Sequence, residues 1–594
     1  MNNRWLMDFL KIVLSIPLLC SLGYSASPQN TPFEKENYES VKSYITQYAE
    51  TKMKENQLTG LSLALVDDEK IIWTLSLGYA DLENKKPVTS DTLFRIGSIS
   101  KLFTATAIMQ LVEQGKIDLD KPLQTYIPEF SMKTRFPDAG PVTIRSIMTH
   151  SSGLPCDYLP VSSPSYPYFT QLVKDIQNEY VAYPPGYITA YSNLAVALLG
   201  VVIERVSGQK FNDYITEHIF KPLEMNHSSF ELRADMEPLL SKGYRNNEPA
   251  EDMFLGVFPS GSMVSDVNEM SHFMQMVLDK GSYKGQQIVK ERTLEEMFTP
   301  QTNIPLDLDA RGTIGLNWGL DQNPSWGKIV AHAGGTYLFF SWMKVLPEKK
   351  LGVIILTNSA NGFGPAYEIS NELINAALKV KIGTMVDDYP KPSVHKQNAE
   401  MKLIPPEGHY ATGLGLVTIK KQGENLYAEI QAYPRIKFLI EPQLDQTYTL
   451  KPLLFGLFPK KIKDLEKLRF FVADVAGTRV AVLNHNGIRS IGGVAIEVKA
   501  LPVKWKKRCG EYRLSPNTGF TQIQAIKLQY FKGTLALSYK VNGKMNLPVV
   551  TIPFSDSGLL IPGLGRNWNT TIQFMKVGNE ERLIFEGLEF VKEK

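Results

Sequence analysis

The feature that most limits the fold is a change of periodicity near residue 378. Before it, stretches with helical spacing alternate with strand-like runs. After the polar segment 379–406, with Pro390, Pro392, Pro405 and Pro406, long helical patterns stop, and short β runs separated by Gly, Asn and Pro follow. No single uniform architecture satisfies both halves. The pattern predicts a mixed α+β unit over 33–378, a Pro-rich linker over 379–406 and an all-β C-terminal region.

Within the first unit, Leu61–Val66 and Ile71–Leu77 are β-rich and flank Asp67-Asp68-Glu69-Lys70, which reads as a hairpin. Leu102, Ala105, Met109 and Val112 recur at helical spacing and predict a helix over Ile99–Gln114. A second helix, Leu194–Val206, is stopped by Ser207-Gly208. Tyr337–Leu346 and Leu351–Thr357 predict another hairpin around Pro347-Glu348-Lys349-Lys350. Strands at both ends with helices between them predict one antiparallel sheet drawn from both ends of the domain. In the tail, Gly408-His409-Tyr410 and Gly510-Glu511-Tyr512 open segments that close with Val494–Val498 and Leu588–Val591. We read them as two related β modules, 407–500 and 501–594, forming two small barrels or one larger one.

The 594 residues exceed the ~250–300 at which one core stops growing. With 64 basic and 61 acidic side chains, the net charge of +3 gives no field for nucleic acid or anionic membrane. At the N-terminus, Arg4 and Lys11 lead into an apolar run, Ile12–Leu22. It is too short for a membrane span, which needs roughly 20 residues, and right for an export signal. Gly23 and Ser25 suit a cut after Ser25, predicting a secreted or periplasmic protein, with an uncleaved N-terminal anchor as the alternative. Removing the signal would leave Cys156 and Cys509, a pair split between predicted domains, so a structural disulfide is not favoured.

Three short motifs carry chemistry. Ser98-Ile99-Ser100-Lys101 has the S-x-x-K spacing, which recurs at Ser207/Lys210, Ser325/Lys328, Ser341/Lys344 and Ser393/Lys396. Ser98 differs in opening a strongly apolar helix, so Lys101 can share its helix face and act as the base that a weakly nucleophilic hydroxyl needs. Tyr191-Ser192-Asn193 precedes the second helix; Tyr244-Arg245-Asn246 has the same spacing in a poorer context. His332-Ala333-Gly334-Gly335 ends a short β run, Ile329-Val330-Ala331, where small residues admit a substrate backbone. The remaining histidines show no metal-ligand spacing and no H-E-x-x-H, so neither metal nor cofactor is expected.

In this order the three motifs resemble the serine β-lactamase and penicillin-binding-protein superfamily, nearest its class C branch of D-alanyl-D-alanine carboxypeptidases, D-aminopeptidases and esterases. Further similar stretches are Phe94–Lys101, Ile144–Pro155, Pro184–Asn193 and Pro259–Asp266. The resemblance covers about Phe33–Leu378 and implies a five-stranded-type antiparallel sheet flanked by helices. It implies that Ser98 is the acylated nucleophile, Lys101 its base and Tyr191 the proton carrier. Asn193 would hold the substrate amide or the Lys101 amine, His332 and Gly334 would bind substrate, and the backbone N–H groups of Ser98 and Gly335 would form the oxyanion hole. His150 falls in a structural loop. His332 stands where the family pattern has the Lys of K-T-G, so weak β-lactamase activity is expected. The expected activity is hydrolysis of small esters or D-amino-acid peptides and amides, with peptidoglycan fragments as candidate substrates. The competing reading is a catalytically weak penicillin-binding or cell-wall scaffolding protein.

Overall fold

The computed structural model describes residues 37–251, 255–301, 313–383, 402–459, 465–475, 477–485, 488–516, 522–541, 543–578 and 580–593. The signal segment 1–25 and the central part of the Pro-rich linker lie outside the described residues.

The chain enters through helix α1 (Glu39–Asn56) and the hairpin β1 (Gly60–Asp67) and β2 (Lys70–Asp81). Helices α2 (Ser100–Glu113), α3 (Asn193–Ser207) and α4 (Val267–Leu278) follow. Strands β3 (Gly319–Asn323), β4 (Gly327–Gly335), β5 (Phe340–Leu346) and β6 (Leu351–Thr357) then lead to helix α5 (Phe363–Ile382). The sheet order is β3-β4-β5-β6-β1-β2, with a two-residue strand at each edge, and every pairing is antiparallel. Leu61 opposite Thr357 and Asp67 opposite Leu351 join the two ends of the domain at the sheet centre. The expected five-strand core is therefore present as β4, β5, β6, β1 and β2, widened by shorter strands.

Side chains two apart on a strand share a face, and β6 uses both faces. Leu351, Val353 and Ile355 join the core under α1 and α5, beside Val41, Ile45, Ile369 and Leu373. Ile354 and Leu356 face the other way, into the larger core with Leu102, Phe103, Leu198 and Phe273. Each such side chain contributes roughly 1.5–3 kcal/mol on full burial. Helix α2 is buried at every position from Ser100 to Met109. Its internal hydroxyls are satisfied: Thr104 donates to the Pro259 carbonyl and Thr106 to that of Leu102.

One strand extends further than the sequence suggested. The apolar run ends at Ala331, yet β4 continues to Gly335, because His332–Gly335 pair through their backbone with Phe340–Met343. Conversely, 337–339 form a turn rather than the start of β5: Thr336 N–H donates to the Phe339 carbonyl at 2.9 Å.

Beyond residue 402 the chain forms two closed barrels. The first closes where Tyr448 pairs with Phe470, the second where Ile523–Phe531 pairs with Thr534–Val541. Both join their Gly-x-Tyr strand to their last strand, His409 opposite Ile496 and Tyr512 opposite Lys592. The two motifs are conformational equivalents. Gly408 and Gly510 have φ of +143° and +147°, which favours glycine. Tyr410 Oη donates to the Pro406 carbonyl and Tyr512 Oη to the Arg508 carbonyl, each four residues back. Both barrels share one apolar cluster with the first domain. Tyr183, Ile188 and Ala190 pack with Phe471, Val480 and Val482 of the first barrel and Val550 and Leu564 of the second.

Candidate active site

Ser98 sits in the 3-10 turn Gly97–Ile99 that leads into α2, half-buried in the cleft between that helix and β4. Gly97 has φ +55°, and a Cβ there would stand 2.5 Å from the backbone nitrogen of Gly335. The Gly97–Ile99 turn and the end of β4 thus meet backbone to backbone, a contact that a side chain at Gly97 would prevent. Ser341 Oγ donates to the Ile96 carbonyl at 2.8 Å and ties β5 to the same turn.

Lys101 lies one helical step on, fully buried. Its Nζ is 2.7 Å from Asn193 Oδ1, 2.6 Å from the Ser260 carbonyl and 3.2 Å from Ser98 Oγ. Burial lowers the Lys101 pKa, and the nearby Arg566 guanidinium pushes the same way, against Tyr191 and Asp157. A neutral amine has two N–H donors and one lone pair. The amide and carbonyl oxygens can only accept, so a deprotonated Lys101 would give them both donors and leave its lone pair for the Ser98 hydroxyl proton. This is the geometry of a general base.

Tyr191 and Asn193 flank the start of α3. Ser192 caps that helix, its Oγ accepting from Ala195 N–H at 2.9 Å, which fixes the residues on either side. Asn193 bridges two groups, since its Nδ2 donates to Asp157 Oδ1 at 2.7 Å while its Oδ1 faces Lys101. The Tyr191 ring centroid lies 4.8 Å from Lys101 Nζ and 4.3 Å from the His150 ring. His150 is buried with φ +54° and serves as a wall behind Tyr191.

Gly334 and His332 share one face of β4 with Val330, the face toward the helical core. His332 is half-buried and its Nδ1 lies 2.6 Å from the Ala333 carbonyl. The structure therefore gathers Ser98, Lys101, Tyr191 and Asn193 directly and brings the Gly334-Gly335 backbone against the Ser98 turn. Ser393/Lys396 lies outside the described residues, and two of the other look-alike motifs go elsewhere. Tyr244 is buried and accepts from Leu82 N–H through its hydroxyl. Ser341 and Lys344 lie on a strand, where residues three apart point to opposite faces, and Lys344 pairs with Asn371.

The motifs did not point to Asp157, the Ser260 carbonyl or the contribution of the second barrel. Arg566 comes from the loop between Leu560 and Thr571, and its guanidinium sits 4.9 Å from the Tyr191 ring centroid. Glu586, in the last hairpin turn, lies near Asp157 and Glu179, and burial pushes its carboxyl up to about 8. Its backbone carbonyl accepts from Leu159 N–H at 3.0 Å. Only the resemblance of 259–266 hinted at Ser260; nothing local marks Arg566.

Cys156 and Cys509 are not bridged to each other. Cys156 is buried, which pushes its thiol up, and accepts from Arg566 Nε at 3.3 Å. Among the described residues, His227, Asp266 and Glu269 could bring ligand atoms within 4.8 Å of one another. Their carboxylates already serve the backbone: Asp266 caps α4 through Glu269 N–H, and Glu269 accepts from His227 N–H and the Ser228 hydroxyl.

The sequence model of the Beta-lactamase family matches residues 45–376, more than half of the chain. Protein flp of Staphylococcus aureus (strain MRSA252) is 22% identical over 349 residues, covering 57% of this chain and 68% of that protein. Beta-lactamase-like protein 2 of Dictyostelium discoideum is 28% identical over 318 residues, 50% of this chain and 56% of its own. Among solved structures, the octameric penicillin-binding protein homologue from Pyrococcus abyssi superposes with a TM-score of 0.51. It is 22% identical and covers 86% of this chain and 99% of its own, a likeness of fold. The chain belongs to the Beta-lactamase family, within the serine β-lactamase and penicillin-binding-protein superfamily of serine hydrolases.

Proposed function

We propose that the protein is an exported serine acyl hydrolase that works through a Ser98 acyl-enzyme on small esters or on D-amino-acid peptides and amides. The observation that carries this reading is the buried Lys101 amine, whose Nζ lies 2.7 Å from Asn193 Oδ1, 2.6 Å from the Ser260 carbonyl and 3.2 Å from Ser98 Oγ. Ser98 Oγ attacks the substrate carbonyl carbon and its proton passes to Lys101 Nζ. The oxyanion is held by the backbone N–H groups of Ser98 and Gly335, each donor typically worth ~3–4 kcal/mol of barrier. The bond to the leaving oxygen or nitrogen breaks as that atom takes the proton through Tyr191. Water, deprotonated by the same pair, then cleaves the ester and restores Ser98. His332 offers no permanent charge in place of the family's Lys, which supports weak turnover of β-lactams.

The test is a substrate profile on the wild type and Ser98→Ala. Nitrophenyl butyrate or D-amino-acid anilides should be hydrolysed by the wild type and lost by several orders of magnitude in the variant. Turnover that survives Ser98→Ala, or absence of turnover on both classes, overturns the reading and favours a penicillin-binding scaffold.

A further inference from the structure

The first barrel carries an apolar tip that stands open to solvent. Its strand Tyr448–Leu454 pairs with Ile436–Pro442 along its whole length but reaches Phe470 through Tyr448 alone. The far end of that strand folds into a small hairpin, with Leu453 opposite Pro459 and Leu454 opposite Phe458. Three large apolar side chains crowd this hairpin: Phe455, Leu457 and Phe458 are 65%, 74% and 64% exposed. Single exposed apolar residues are ordinary on a protein surface, but three within four positions form a patch. Leu444 is exposed as well, yet it stands singly in the turn at the opposite end of the same strands, between Gln443 and Asp445.

The turn at the tip is strained and its rim is basic. Phe455 has φ +53° and Gly456 φ +75°, two successive left-handed residues of the kind that hairpins ordinarily meet with Asn-Gly. A Phe in that place adds strain without adding to the core. Its N–H donates to the Arg435 carbonyl at 2.8 Å, which sets that exposed arginine beside the tip. Lys437 runs alongside, its Cδ 3.5 Å from where a Cβ on Gly456 would stand and its ammonium over the Tyr427 ring. Neither segment that builds this end, 430–437 or 453–459, holds an acidic residue.

Two Phe and one Leu, each about two-thirds open, present on the order of 400 Å² of apolar surface. A specific protein interface takes about 800 Å² from each partner, roughly twice what this tip offers. A bilayer asks for less: a few apolar side chains set roughly 5–10 Å into the headgroup boundary, with cations beside them. We propose that the 453–459 hairpin is a membrane-docking tip. Phe455, Leu457 and Phe458 enter the headgroup boundary of an anionic phospholipid bilayer, and Arg435 and Lys437 meet its phosphates. The whole-chain charge of +3 gives no long-range attraction, so these cations act at contact, within a Debye length of roughly 8 Å. The barrel then holds the catalytic domain at a lipid surface without a spanning helix; among the described residues no helix is long and apolar enough to cross a membrane.

The test is co-sedimentation of the chain from residue 26 onward, free of the apolar 12–22 run, with extruded vesicles. One set is phosphatidylcholine alone and the other phosphatidylcholine and phosphatidylglycerol at two to one. The wild type should sediment with the mixed vesicles and bind them more tightly at low salt than at high salt. Phe455→Asn, Leu457→Ser and Phe458→Ser together should weaken that binding at least about tenfold. Phe455→Asn alone suits the turn, so it should melt no lower than the wild type and still bind several-fold more weakly. Arg435→Gln with Lys437→Gln should erase the preference for phosphatidylglycerol and leave binding to the neutral vesicles as it was. A wild type that stays in the supernatant with both vesicles, or that sediments no better than the triple variant, overturns the docking tip. So does a mass by light scattering that drops to the monomer in the triple variant, since a second copy would then be what covers the tip.

Discussion

The two tail barrels share a closure and a Gly-x-Tyr device, yet they meet the catalytic domain differently. The first lays an apolar face, with Phe471, Val480 and Val482, against Tyr183 and Ile188, and Thr478 meets the Tyr187 hydroxyl. The second joins the same cluster through Val550 and Leu564, and it also sends Arg566 and Glu586 to the cleft. Similar scaffolds thus do unlike jobs. The difference lies in loops, which a closed barrel can vary at little cost to its core.

The largest effect should come from ending the chain at residue 500. That removes Arg566 from the cleft and leaves Tyr183 and Ile188 without Val550 and Leu564. The shortened chain should lose about 2–5 kcal/mol of unfolding free energy for each Leu-sized contact removed, and its ester turnover should fall with the loss of the Arg566 charge beside Tyr191. Wild-type turnover by the shortened chain would make the second barrel a passenger, no different in role from the first.

A smaller effect separates the barrels by pH. Burial and the nearby Asp157 and Glu179 raise the Glu586 carboxyl to about 8, and burial raises Glu179 to about 7. A carboxyl raised in the folded state favours folding at low pH, and that contribution is lost as pH rises through its folded pKa. Thermal stability of the wild type should therefore decline between about pH 5 and pH 9. Glu586→Gln should decline less, so its advantage grows with pH. Parallel melting curves across this range would show that Glu586 is not held neutral at the interface.

The smallest effect tests the likeness of the barrels. Tyr410→Phe and Tyr512→Phe each remove one hydroxyl hydrogen bond to a carbonyl four residues back. Each should lower the unfolding free energy by about 1 kcal/mol in denaturant titrations. A loss confined to one variant would break the equivalence.

Much of the catalytic domain was legible because its signals are local. Hydrophobic spacing marked α2 and α3 within a residue or two, and the Gly208 stop has φ +75° at the end of α3. Ser98, Lys101, Tyr191 and Asn193 stood out because each opens an apolar helix. Periodicity could not show that β4 runs through Gly335, since pairing with β5 needs only backbone groups. Nor could it find Arg566, which reaches Tyr191 across a separation of 375 residues with no motif of its own. The Gly-x-Tyr likeness was visible, but only φ and the tyrosine hydrogen bonds show it to be one device used twice.

The most direct test of the central claim is covalent labelling of the full-length protein with a fluorophosphonate, followed by peptide mass spectrometry. The account predicts a single adduct on the peptide containing Ser98, absent in Ser98→Ala and slowed by orders of magnitude in Lys101→Ala. An adduct on another serine, or labelling of Ser98 at an undiminished rate without the Lys101 amine, would contradict it.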